Sequence, residues 1–383
     1  MGYRTRLRRD PLGYVEELSR GSSAGVVRLP WGGWCVRDTG LAQTLLRDPE
    51  YHTGGSVFFG ELLPARPAQV ELGRAVRGLL RADVPRYRAA LPGAVAGLTA
   101  AGRWPDAGAR LVHRCLEDVL LRPGTPGRGR ELMRRAVREG VAVRSPYVWR
   151  RARAEVVRAE LLRALAEEAR RRRGRPAGEP RDMLDAVLAV CPQAEVPERT
   201  VAGLHLMMFR AIMAPVSAAL AWSVLLACLR HTEAAPWPWP ADDVVREALR
   251  HRPVPWMLGR TLPRATELGG TVFPAGELVS VCPYLLHHDE RHWDSPYSFR
   301  PERWADDNGH GPYVPFGTGP FSCAGAAVAH TLLTESLTAL TDGARLAVDG
   351  GEARAAMSEG NVPRPFVLHR IPDHPSADDT GGR

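Results

Sequence analysis

Pro315-Phe-Gly-Thr-Gly-Pro-Phe-Ser-Cys-Ala-Gly325 is the stretch on which the reading of this chain turns. Gly317 and Gly319 close a tight loop, Cys323 ends it, and the following residues predict a helix over 324–341. A sulfur at the start of a helix lies at the positive end of the macrodipole, among N–H groups without intrahelical partners, which favours its anion. Gly325 has no side chain, so a flat ligand can approach that sulfur closely. Such a loop can present one thiolate to a metal held in a planar ring. The plainer reading is a structural cysteine in a glycine-rich turn, and the loop alone does not decide between them.

The other cysteines, at 35, 115, 191, 228 and 282, are scattered, with no CxxC pair and no framework spacing. In a chain of 383 residues that argues for reduced thiols and a cytoplasmic location. All 51 basic residues are arginine, against 43 acids, for a net charge of +8. Asparagine and isoleucine are scarce, so the arginine excess is what a GC-rich coding sequence produces. A basic balance permits nucleic-acid binding, but the clusters at 150–153 and 170–175 read as solvated helix faces, largely without interleaved aromatics. No nucleic-acid partner is expected. Nor is a membrane: the chain has no run of the roughly 18 apolar residues that a span requires, and no leader-like core follows Met1.

Asp10-Pro11 opens a capped helix, and Val26-Val-Arg-Leu-Pro30 and Trp34-Cys-Val-Arg37 suggest a strand pair around Gly32-Gly33. Residues 52–70 read as a long loop, and 72–230 as almost wholly helical, with a connector at 174–180. The segment 200–231 is apolar nearly all round and should be a buried central helix, interrupted by His205, Arg210 and Pro215. A charged helix over 241–251, strands within 268–281, an irregular stretch to 322 and a C-terminal hairpin complete the order. Residues 373–383 read as a disordered tail. Helices with small sheets at both ends give a mainly α, α+β class, and no βαβ alternation supports a dinucleotide-binding fold.

The loop resembles the signature of the cytochrome P450 family, Phe-Gly-x-Gly-x-His/Arg-x-Cys-x-Gly. Phe316, Gly317, Gly319, Cys323 and Gly325 match it in place, while Phe321 stands where the family has a propionate-binding His or Arg. Glu247-Ala-Leu-Arg250 matches the family's Glu-x-x-Arg, and Phe299-Arg-Pro-Glu-Arg303-Trp the segment whose arginine completes a Glu-Arg-Arg cluster. Either match alone would be bland, since i,i+3 ion pairs decorate many helices; the three in order are not. The resemblance runs from about residue 10 to 371. It implies one P450 domain over 1–383, a helical body with a small β-rich domain, and haem b (iron protoporphyrin IX) between the central helix and the cysteine loop.

By the same resemblance Cys323 is the iron ligand, Arg260 binds a propionate, and Arg77 is the arginine of an aromatic/His-x-x-x-Arg motif whose first position is Gly73. Arg74 and Arg81 are rivals for that role. Phe58, Phe59, Ala211, Ala218, Trp256 and Met257 line a substrate pocket, or else pack the core. In the central helix the family's acid/threonine pair falls on Ala214-Pro215, and neither side chain has a proton to give. The plainer reading is that Pro215 only kinks the helix and frees the Ala211 carbonyl. Ser217 could supply a proton, although a serine bonded back to its own helix is the usual outcome. Arg210, a turn earlier, more simply makes a surface salt bridge. The implied activity is oxidation of a small organic substrate in bacterial secondary metabolism, as a monomer, with protons from the substrate, with peroxide as oxidant, or by radical coupling. Electrons would come from ferredoxin and its reductase. The alternative is a degenerate helper that stabilises a partner enzyme.

Overall fold

The computed structural model describes residues 2–22, 25–52, 58–126, 128–139, 148–173, 178–191, 196–233, 235–305, 311–356 and 361–373. The expected tail beyond 373, Gly54-Gly55 of the expected loop and residues 174–177 of the expected connector lie outside them. Helices α1 Tyr3–Arg9, α2 Pro11–Arg20, α3 Thr39–Arg47 and α4 Arg66–Ala96 lead into α5 Asp106–Leu120, α6 Arg128–Arg138 and α7 Val148–Arg173. After these come α8 Met183–Ala189, α9 Glu198–Arg230, α10 Ala241–His251, α11 Pro283–His287 and α12 Ala326–Thr341. Aspartates set several starts: Asp10, Asp38 and Asp182 accept the N–H of Gly13, Leu41 and Asp185 at 3.0, 3.0 and 2.9 Å.

Two expectations are corrected. The loop read over 52–70 ends sooner, because α4 starts at Arg66 with Pro67 in its first turn, where a missing N–H costs nothing. The same helix runs on through Pro85 and Pro92, whose lost partners are the carbonyls of the exposed Arg81 and Arg88. The second concerns β3 Ala101–Trp104, which interrupts the region read as helical. It pairs antiparallel with β11 Phe366–Pro372, itself paired with β8 Ala344–Gly350.

The other main sheet has the order β1-β2-β7-β4, with β1 Val26–Arg28, β2 Trp34–Val36, β4 Leu258–Thr261 and β7 Leu278–Val281. Strands β2 and β7 are parallel, so the N-terminal strand pair shares one sheet with strands from 258–281. Small pairs β5 Thr266–Leu268 with β6 Thr271–Phe273, and β9 Ala355–Ala356 with β10 Val362–Pro363, complete the strands. As expected, α9 is the central helix, packed against α5, α7, α10 and α12. It is long and apolar enough to cross a membrane, but most of it is buried inside the fold.

Candidate functional site

Backbone bonds pin the cysteine loop at both ends. The Gly317 N–H donates to the Val314 carbonyl at 3.0 Å, Ser322 N–H to Gly319 at 3.1 Å, and Cys323 N–H to Phe316 at 2.9 Å. Gly317 and Gly319 have φ of 70° and 76°. A Cβ at 319 would lie 2.8 Å from the Arg47 Cα, and closer still to the Leu46 carbonyl oxygen, so α3 presses directly on the loop there. Helix α12 starts at Ala326, two residues later than expected, with Gly325 as its N-cap. Cys323 is exposed, while the other five cysteines are buried. Burial pushes those five thiols up, Cys115, Cys228 and Cys282 to about 12, which leaves them unreactive. A Cβ on Gly325 would meet only the Cys323 Sγ, at 3.9 Å.

Strand alternation brings β4 to the same loop. Leu258 Cδ1 lies 3.7 Å from where a Gly317 Cβ would stand, and Arg260, two residues on, has its guanidinium 5.6 Å from the Phe321 ring centre. Arg260 donates from Nη1 to the Gly259 carbonyl at 2.8 Å, but its buried Nε has no partner among the described residues. Burial lowers its pKa, with no carboxylate nearby to offset the charge. Arg77 is exposed. A second arginine on Phe321, nearer at 4.3 Å from the ring centre, is Arg66, which no sequence motif marked.

On α9, Ala211, Ala214 and Pro215 are partly exposed, whereas Ser217 and Ala218 are buried. Pro215 has no N–H, so the Ala211 carbonyl loses its intrahelical donor, yet the helix continues. Ser217 Oγ is buried without a partner among the described residues, contrary to the back-bonded expectation that Ser223 fulfils by donating to the Ala219 carbonyl at 2.9 Å. Arg210 is exposed and forms no ion pair among the described residues, so the expected salt bridge is absent. Phe58 and Phe59 meet edge to face at 4.9 Å, and Leu62 beyond them rests on Gly203 of α9. Trp256 and Met257 are half-buried just ahead of β4.

The three-residue cluster forms as expected. Glu247 accepts from Arg250 Nε and Nη2 at 2.9 and 2.8 Å, Arg303 Nε at 3.1 Å, Trp304 Nε1 at 3.0 Å and the Arg300 N–H at 2.9 Å. Arg250 Nη1 also donates to the His287 and Pro296 carbonyls, at 2.7 and 2.9 Å. His287, which no sequence motif marked, carries this cluster to the cysteine loop. Its Nε2 accepts the Val314 N–H at 2.9 Å, which puts the ring proton on Nδ1, facing the Arg250 carbonyl at 3.0 Å. Burial pushes the ring down to about 3, so it stays neutral. His288, which forms an i,i+4 pair with His292, is buried against Tyr284, and no group of three or more metal-ligating side chains occurs among the described residues.

A model of the cytochrome P450 family matches residues 241–348, from α10 to β8. Human cytochrome P450 3A5 is 44% identical over 87 residues, 22% of this chain and 17% of that protein. Mouse cytochrome P450 3A11 is 42% identical over 88 residues, 22% of this chain and 18% of that one. The matched stretch thus spans less than a fifth of these curated relatives. Solved structures cover far more of the chain. A mutant of P450 EryK in complex with erythromycin B has a TM-score of 0.72 at 20% identity, covering 96% of this chain and 97% of that one. The hydroxylase HmtN of himastatin biosynthesis has a TM-score of 0.70 at 17% identity, covering 94% and 98%. The architecture is therefore the P450 fold, a helical body with small sheets about a cysteine loop. The family match takes in that loop and the Glu247 cluster, and what the rest of the chain shares with these structures is the fold.

Proposed function

We propose that this chain is a haem-thiolate oxidoreductase of one domain, with Cys323 as the proximal ligand of haem b. The observation that carries the reading is Cys323 itself: an exposed, unpaired sulfur on a loop fixed by Gly319 against α3 and by His287 against the Glu247 cluster. The surrounding residues fit an iron porphyrin. Gly325 leaves room beside the sulfur, and the unpartnered Arg260 Nε offers a cation to an acidic edge. When bound, the haem supplies the redox chemistry of substrate oxidation.

The protein's own residues set the terms of that chemistry. The short side chains of Ala211 and Ala214 on α9 leave space, and Phe58, Phe59, Trp256 and Met257 would bound an apolar pocket for a small organic substrate. Ala214 and Pro215 have no exchangeable proton. Protons must therefore come from substrate, from water at the freed Ala211 carbonyl, or from Ser217, unless peroxide is the oxidant or radical coupling the outcome. Likeness to EryK with erythromycin B and to HmtN of himastatin biosynthesis favours a bacterial tailoring role. A ferredoxin and its reductase are the electron donors this reading implies, with the +8 charge suited to an acidic partner, in a cytoplasmic monomer. A helper role is favoured only by Ala214-Pro215 and Phe321, and a helper has no use for the free sulfur.

Introducing Ala214→Asp with Pro215→Thr tests the missing relay. Oxygen consumption with a generic ferredoxin–reductase pair should rise. No change, with efficient native turnover from NADPH, would show that substrate or water already provides the route.

A further inference from the structure

Position 321 lacks the cation that the loop signature carries, and the structure puts two cations around the ring that replaces it. Arg66 lies 4.3 Å from the centre of the Phe321 ring and Arg260 5.6 Å. They come from different elements, the first turn of α4 and strand β4. Neither has a carboxylate partner among the described residues, whereas Arg88, Arg250 and Arg303 each have one. Helix geometry separates Arg66 from Arg77. Eleven residues apart, they share one face of α4 to within about 20°, but lie about 16 Å apart along its axis. Arg88, a further eleven residues on, is bonded to Glu335 of α12 at 2.8 Å. Helix α4 thus runs beside α12, and Arg66 at its first turn is the one that packs on Phe321.

We propose that Arg66 replaces the missing loop cation, so that Arg66 and Arg260, both packed on Phe321, hold the carboxylate edge of the porphyrin. The ring serves as a platform: a guanidinium stacked on an aromatic face keeps its in-plane N–H donors free for a carboxylate. This inference rests on the haem reading above.

The test uses the haem-reconstituted chain and follows loss of haem to excess apomyoglobin by absorbance. Arg66→Ala should speed the loss about tenfold or more, the effect of one charge-assisted bond. With iron protoporphyrin dimethyl ester, which has no free carboxylates, Arg66→Ala should change nothing. Adding Phe321→Arg to Arg66→Ala should restore retention. Equal retention by Arg66→Ala and the parent, or the same acceleration with the ester, overturns the proposal. If the parent takes up no haem, the haem reading fails with it; if the parent holds haem and Arg66→Ala holds it equally well, only the role of Arg66 falls.

Discussion

Replacing His287 by leucine keeps most of the side-chain volume but removes both hydrogen bonds between the Glu247 cluster and the cysteine loop. The Val314 N–H and the Arg250 carbonyl are then buried without this partner, at about 1–3 kcal/mol for each unsatisfied group, so a loss of about 3 kcal/mol is expected at pH 8. That loss should depend on pH. The ring is held at about 3 in the fold against an ordinary value of 6.5, so the unfolded chain binds the proton first. The stability from neutral His287 is complete above 6.5 and falls by about 1.4 kcal/mol per pH unit as the pH drops towards 3. Leucine has no such term, so the gap between parent and variant should narrow from about 3 kcal/mol at pH 8 to about 1 at pH 5. Urea unfolding of both proteins across that range measures it. A gap that is constant with pH, or below about 1 kcal/mol at pH 8, would refute the assigned bonds and tautomer.

Other perturbations follow from the same geometry. Gly319→Ala must move α3 away from the loop and adopt a positive φ; a loss of about 2 kcal/mol or more is expected, against about 1 for Gly343→Ala, which has a positive φ but open space, and equal losses would contradict the close approach. Burial raises the Asp83 carboxyl to about 6, so its ionised form opposes folding above that pH and the penalty lifts as pH falls. Asp83→Asn should therefore stabilise the protein by about 1–2 kcal/mol at pH 8, allowing for partial solvent screening, and by nothing at pH 4. Ser217→Ala deletes a buried hydroxyl without a partner, so thermal unfolding should not move downwards. If Ser217 delivers protons, the same variant lowers turnover; unchanged turnover removes it from that role.

Much of the architecture was legible because it is locally encoded. Asp10 and Asp182 announce their helices, the apolar run over 201–228 can only be a buried helix, and the cysteine loop carries its geometry in Gly317 and Gly319. What was not legible depends on distant partners. Ala101–Trp104 has little strand character and forms β3 only because Phe366–Pro372 supplies a neighbour more than 260 residues away. His287 sits among other histidines, and nothing local distinguishes the one that bonds to Val314. Arg66 is one of 51 arginines, and only its packing on Phe321 sets it apart.

The central claim is that Cys323 ligates haem iron, and the carbon monoxide difference spectrum of the reduced, haem-reconstituted chain tests it most directly. The red-shifted band of a thiolate-ligated haem is expected from the parent and should be lost in Cys323→Ala, while Cys282→Ala, altering a buried thiol, keeps it. A chain that takes up no haem, or a Cys323→Ala variant with the parent's spectrum, would contradict the account.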